Sequence, residues 1–139
     1  MKKKLLDTIK EKPLLADGAM GTQLMLAGLT PSCCGEEWNL IHPEKVLAIQ
    51  KRYADAGSDC LLTNTFGANR IMLNRYDNAD KAVEINQSGV EIARHAFGSR
   101  EGYVIGDICS YGALTEAHSD FTPSQVREAF NEQAKALID

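Results

Sequence analysis

Apolar positions along this chain follow two alternating patterns. Short unbroken runs open abruptly into small, polar and glycine residues at three places. These are Leu14-Leu15-Ala16-Asp17-Gly18-Ala19-Met20-Gly21-Thr22, then Cys60-Leu61-Leu62-Thr63-Asn64-Thr65-Phe66-Gly67, then Tyr103-Val104-Ile105-Gly106-Asp107-Ile108-Cys109-Ser110-Tyr111-Gly112. Between and after them, apolar residues recur at spacings of three and four. The first pattern predicts buried parallel strands and the second amphipathic helices.

The helical segments carry their own punctuation. Gln23-Leu24-Met25-Leu26-Ala27 predicts a helix ended by Gly28. His42-Pro43-Glu44 predicts a helix start, with Pro at the first helical position and an acid in the first turn; Val46, Ile49, Gln50 and Tyr53 form its stripe and Ala56-Gly57 its end. Ala82, Ile85, Gly89, Ile92, Ala93 and Ala96 mark a second stripe that Gly98 closes. Thr122, Pro123 and Gln125 form a capping box ahead of a stripe through Val126, Phe130, Ala134 and Leu137. Residues 2–12 predict a short charged helix or a frayed arm, whose Leu5, Leu6 and Ile9 could cover the bottom of a barrel, and Pro13 stops any helix there. From Leu29 to Ile41 no periodicity holds; Trp38 there is expected to anchor a loop, and His42 to be solvated or capping.

Strand and helix alternate three times, the order of a parallel α/β sheet. Strand starts lie roughly 45 residues apart, a spacing suited to a (β/α)8 TIM-type barrel whose loops carry a site. Residues 1–139 are thus expected to form the N-terminal portion, about three βα units, of such a barrel. Open edges on so small a sheet lead us to expect self-association, or strands supplied from elsewhere.

Bulk properties narrow the class. The 139 residues are 44% hydrophobic and 24% charged, as in a globular domain, with net charge -4 and pI near 5.4. Basic residues do not gather with aromatics, so no nucleic-acid partner is expected. No apolar run reaches signal-peptide or membrane-span length, which makes the cytoplasm the expected compartment and a membrane partner unexpected. There Cys33, Cys34, Cys60 and Cys109 should be reduced thiols.

The three strand ends are the candidate site. Asp17 offers a carboxylate to an ammonium group, while Gly18 and Gly21 let the backbone turn and approach a ligand closely. In order along the chain, Asp17-Gly18-Ala19-Met20-Gly21-Thr22, Glu37-Trp38-Asn39 with His42-Pro43-Glu44, Ala56-Gly57-Ser58-Asp59 leading into Thr63-Asn64-Thr65-Phe66-Gly67-Ala68, and Gly106-Asp107-Ile108 resemble the homocysteine S-methyltransferase family. The likeness is greatest to the homocysteine-binding barrel of its cobalamin-dependent branch and covers nearly the whole chain.

That resemblance implies a barrel that binds homocysteine at the C-terminal face and activates its thiol on zinc. A free thiol has a pKa of about 8.5, so little is thiolate at neutral pH until a metal deprotonates it. The methyl group would come from methylcobalamin or methyltetrahydrofolate and yield methionine, with a corrinoid domain or protein as partner; other branches use sulfonium or betaine donors. By motif, Asp17 is implied for the substrate amino group and the amides of Gly18, Ala19, Met20 and Gly21, with Thr22 beside them, for its carboxylate. Asn64, Thr65 and Asp107 are implied at the same mouth.

The family's zinc cysteines lie in glycine-rich turns after later strands, and neither turn occurs in this sequence. Zinc ligands are therefore expected outside this chain, with no metal residue assigned within it. Cys33-Cys34-Gly35 echoes one of those turns but sits in an early loop, and Cys109 stands where the family commonly has glycine. Cys60 is expected at the opposite end of the strands from Cys109, leaving only Cys33, Cys34 and Cys109 able to meet. The chain reads as a methyltransferase piece, inactive alone. The alternatives are a non-catalytic ligand-binding module or subunit completed by a partner chain, and an unrelated barrel enzyme for a phosphorylated substrate, which the missing phosphate loop disfavours.

Overall fold

The computed structural model describes residues 3–110 and 121–138. Strands β1 (Cys60–Leu62) and β2 (Tyr103–Ile105) pair in parallel, with Cys60 opposite Tyr103, Leu61 opposite Val104 and Leu62 opposite Ile105. The apolar run at 14–16 contracts to one parallel bridge, Ala16 to Cys60, held by the Asp17 N–H on Cys60 O at 3.0 Å and the Cys60 N–H on Leu15 O at 3.1 Å. Pro13 has no N–H to extend that pairing, and the run borders solvent, Leu15 being 58% exposed. The third predicted opening continues through Tyr111 and Gly112, which lie outside the described residues.

Seven α-helices accompany the strands among the described residues: α1 (Leu5–Thr8), α2 (Met20–Leu26), α3 (Trp38–Ile41), α4 (Pro43–Asp55), α5 (Arg70–Leu73), α6 (Ala82–Ala96) and α7 (Pro123–Ile138). The local signals place most of their ends. Gly28, Gly57 and Gly98 all adopt positive φ just past a helix. At the start of α7, the Thr122 N–H donates to Gln125 Oε1 at 2.8 Å while the Gln125 N–H returns to Thr122 Oγ1 at 3.3 Å.

Helices α4 and α6 cover one face of the sheet. Leu61 is fully buried among Ala54, Ala96 and Phe97. A second core joins Trp38, Val46, Ile49, Leu24 and Ile92. Trp38 thus anchors its segment as expected, but the segment is helical: α3 forms where no periodicity was legible, because a four-residue helix is set by what Trp38 packs against. His42 lies edge-on to the Trp38 ring at 5.0 Å and caps nothing with its side chain.

Two expectations are corrected. The N-terminal arm is helical only over Leu5–Thr8, and Leu6 and Ile9 remain exposed; the arm meets the strand bottoms through a polar contact, Thr8 Oγ1 to the Tyr103 hydroxyl at 2.6 Å. On α7 the buried stripe is Val126, Ala129, Gln133 and Ala136 rather than one through Phe130, Ala134 and Leu137, because Gln133 is drawn inward to a carbonyl. No helix among the described residues is long and apolar enough to cross a membrane.

Candidate functional site

The strand ends open at Asp17, Thr63 and Asp107. At the first, Asp17 Oδ2 accepts the Leu62 N–H at 3.0 Å, tying its carboxylate to the neighbouring strand. The turn that follows is held by Tyr53 of α4, whose hydroxyl donates to Ala19 O at 3.0 Å, and α2 starts at Met20. Gly18 packs against Tyr53, with a built Cβ 3.1 Å from the hydroxyl oxygen. Gly18, Ala19, Gly21 and Thr22 are all exposed.

The second opening is built differently. Residues 63–65 and 67–69 are buried yet have left the sheet, so their carbonyls need other partners. Helix-borne amides supply them. Asn39 Nδ2 from α3 donates to Asn64 O at 2.8 Å, and just before this segment Gln50 Nε2 from α4 donates to Leu62 O, the last carbonyl of β1, at 2.8 Å. Gln133 Nε2 from α7 donates to Thr65 O at 2.7 Å, and Asn86 Nδ2 from α6 to Ala68 O at 2.7 Å. All four side chains are at most 2% exposed. Asn64 returns the favour, donating to Gly35 O at 2.9 Å and to Asn39 Oδ1 at 3.0 Å. Sequence reasoning missed this girdle, since Asn and Gln on a helix read as solvent-facing; Gln50, alone among them, fell on a predicted stripe.

Glu36 closes the remaining side. Its Oε1 accepts the Gly67 N–H at 2.8 Å, and its Oε2 accepts the Cys34 thiol proton at 3.5 Å, so one carboxylate pins the loop before α3 to the loop after β1. Between these parts lies a cavity of about 400 Å³ lined by Met20, Gly21, Leu24, Leu29, Cys33, Gly35, Glu36, Thr63, Asn64, Thr65, Phe66, Tyr76 and Asp107. Of the residues singled out from sequence, Met20, Gly21, Asn64, Thr65 and Asp107 line it. Asp17 stands beside it, close enough to act on the Asp107 charge, while Gly18, Ala19 and Thr22 are outside its wall. A larger cleft of about 660 Å³ between α5 and α7 shares no residue with the strand ends, and its Arg70 is already ion-paired to Asp80 and Glu132.

The electrostatics of the cavity are one-signed. Its walls carry Glu36 and Asp107 and, among the described residues, no lysine, arginine or histidine. Burial holds the Asp107 carboxyl above the ordinary aspartate value of 3.8, and the nearby Glu36 pushes the same way. Asp17 is raised for the same first reason, with the Leu62 N–H opposing and Asp107 adding. A cationic group entering here would relieve both.

The thiols do not converge. Burial, with Glu36 beside it, pushes Cys34 up to about 12, so it stays protonated at neutral pH. Cys109 is also raised by burial and takes a hydrogen bond from Asn69 Nδ2 at 3.4 Å. None of the four cysteines is in a disulfide, and no three His, Cys, Asp or Glu side chains among the described residues are arranged to hold a metal ion. The described residues do not fit a zinc site.

Comparison with known proteins names the group to which these features belong. The sequence model of the family described as Homocysteine S-methyltransferase matches residues 14–139. The chain belongs to the homocysteine S-methyltransferase family. Among its relatives, the methionine synthases of Mycobacterium tuberculosis and Mycobacterium leprae are each 36% identical over 147 residues, covering 97% of this chain. The chain spans 12% of the length of each. Its fold matches the homocysteine methyltransferase MmuM of Escherichia coli in the metallated form, with a TM-score of 0.79 at 22% identity, over 97% of this chain and 53% of that one. The oxidized form matches with a TM-score of 0.78 at 25% identity, over 97% and 51%. Of the stretches that carry the resemblance, those at 17–22, 63–68 and 106–108 lie at the strand ends just described, while those at 37–39 and 42–44 lie at α3 and the start of α4.

Proposed function

We propose that this chain forms the amino-acid-binding part of a homocysteine methyltransferase. One observation carries the reading: the strand ends enclose a cavity with two carboxylates, no cationic side chain among the described residues, and a third carboxylate, Asp17, beside it. Such a site favours a small ligand bearing an ammonium group. Asp17 and Asp107 share that group, the amides of the turn 18–21 face the ligand carboxylate, and the apolar wall of Leu24 and Leu29 takes the methylene chain. Thr22 lies at the rim of that turn, and Asn64 and Thr65 fix the cavity wall.

Further strands, from this protein or another chain, complete a (β/α)8 barrel in this reading. Support comes from the open-edged sheet and from the MmuM match, in which this chain covers 53% of its neighbour. Zinc ligands lie outside the described residues, and zinc, when bound, supplies thiol deprotonation. This chain's residues bind and orient the amino-acid end so that the sulfur is presented to the methyl donor. Methylcobalamin or methyltetrahydrofolate is the proposed donor, on the sequence resemblance alone, and methionine the proposed product, which the name of the methionine synthase relatives supports.

Calorimetric titration of the protein with homocysteine tests this. Asp17→Asn should weaken binding by on the order of 1.5 to 3 kcal/mol through loss of a charge-assisted hydrogen bond, with little change in unfolding midpoint. Unchanged affinity removes Asp17 from the site. A non-catalytic binding module is the second reading, favoured by the lack of converging metal donors among the described residues. Homocysteine binding without methyl transfer in the zinc-loaded full protein would decide for it.

A further inference from the structure

The strand-end hydroxyls show how Asp107 is aimed. The last backbone rung between the two strands is the Thr63 N–H on Ile105 O at 2.9 Å. In a parallel ladder the next rung would run from the Asp107 N–H to Thr63 O. That carbonyl is instead turned back to the Thr65 N–H at 2.9 Å, where the chain leaves the sheet. The Asp107 N–H finds Thr63 Oγ1 at 3.0 Å, and Thr65 Oγ1 donates to Asp107 O at 2.8 Å. The two hydroxyl oxygens stand 2.5 Å apart, at 2% and 0% residue exposure.

Proton counting fixes the direction. Each hydroxyl has one hydrogen, an amide can only donate and a carbonyl can only accept. The Thr65 hydrogen is spent on Asp107 O, so Thr63 must donate to Thr65, and Thr63 is then free to accept from the Asp107 N–H. The result is a closed ring running Asp107 N–H, Thr63, Thr65, Asp107 C=O. It replaces the missing rung with side chains. Gln133 holds the Thr65 peptide from behind through its carbonyl.

We propose that Thr63 and Thr65 are positioning residues for ligand recognition: their hydroxyl ring locks the Asp107 peptide and thereby directs its carboxylate to the ammonium group of the bound amino acid. The assignment rests on the functional reading above. Neither threonine needs to touch the ligand to act this way.

The test uses steady-state kinetics of the intact protein that carries this chain, with homocysteine and with 4-mercaptobutanoate, the same thiol without its amino group. Thr63→Val and Thr65→Val should each raise KM for homocysteine about tenfold with kcat within about twofold, the pattern of lost uniform binding. For 4-mercaptobutanoate the same variants should leave KM unchanged. Thr63→Ser and Thr65→Ser, which keep the hydroxyls, should restore homocysteine KM to within about twofold of the parent.

Equal effects on both thiols, or none on homocysteine, overturn the proposal. Should a valine variant fail to fold, the serine variants decide alone: a tenfold rise in homocysteine KM would assign the task to the γ-methyl packing instead of the ring. A parent protein that does not discriminate the two thiols sinks the functional reading, and this assignment with it.

Discussion

The turn after Asp17 and the segment after β1 have the same composition, an apolar run giving way to small polar residues and glycine, but opposite construction. The first is exposed and is secured to α4 by one hydroxyl, Tyr53 on Ala19 O. The second is almost wholly buried; amides from α3, α6 and α7 each take one of its carbonyls, and the Gln50 amide of α4 takes the last carbonyl of β1. Loops at the edge of a sheet can thus be adaptable or rigid without a change in residue class. What differs is whether helices pack over them with donors of the right length. In a binding site the pairing is useful: a fixed wall sets the cavity, and a looser turn admits the ligand.

The comparison can be broken most severely at Gly89 on α6. A Cβ there would stand 2.7 Å from Thr65 Cγ2 and 2.9 Å from Asn39 Nδ2, so the helix presses against the buried wall where only hydrogen fits. Gly89→Val should destabilise by about 3 kcal/mol, read as a lower denaturant midpoint at unchanged m-value. Next comes Asn39→Leu. It removes the donors to Asn64 O and Ile85 O and strands at least the first in the interior, at a cost of about 2 kcal/mol in the same assay.

Asp107→Asn sharpens the contrast between stability and function. A carboxyl raised in the folded state stabilises most when protonated, below 3.8; its contribution is lost as pH rises through the raised folded value and is flat beyond. The asparagine variant should therefore be at least as stable as the parent at neutral pH, with the difference vanishing as pH falls toward 3.8, while homocysteine affinity drops. Thermal melts at two pH values with paired titrations check both halves. The smallest effect is expected in the exposed turn. Gly21 lies inside α2 and an added Cβ meets nothing within 4 Å, so Gly21→Ala should stabilise by about 0.5 to 1 kcal/mol. If it instead lost stability as Gly89→Val does, the two walls would not differ as described.

Much of the candidate site was legible as a place and little of it as a mechanism. Asp107, Asn64, Thr65, Met20 and Gly21 line the cavity because each falls just past an apolar run, where a parallel strand must end. Glu36 was not found, since no local pattern tells a loop carboxylate that accepts a distant amide from one in solvent. Tyr76 at the rim was likewise passed over, and Phe66, though part of the second strand-end run, was given no role in the site.

Local chemistry by itself determined where helices start and stop. A proline that fits only the first turn, a Thr–Gln capping pair and glycines free to take positive φ each act within a few residues, so their effect can be read without knowing the fold. The centres of β1 and β2, and the order of motifs that places the chain in its family, were equally written along the sequence. Only the tertiary structure decided which polar side chains turn inward. The carbonyls claimed by Gln50, Asn86, Asn39 and Gln133 lie 12 to 68 residues away, and the hydroxyl ring joins Thr63 and Thr65 to Asp107. A buried amide is favourable only when its partner is already in place, and that condition depends on packing rather than on neighbours in the chain.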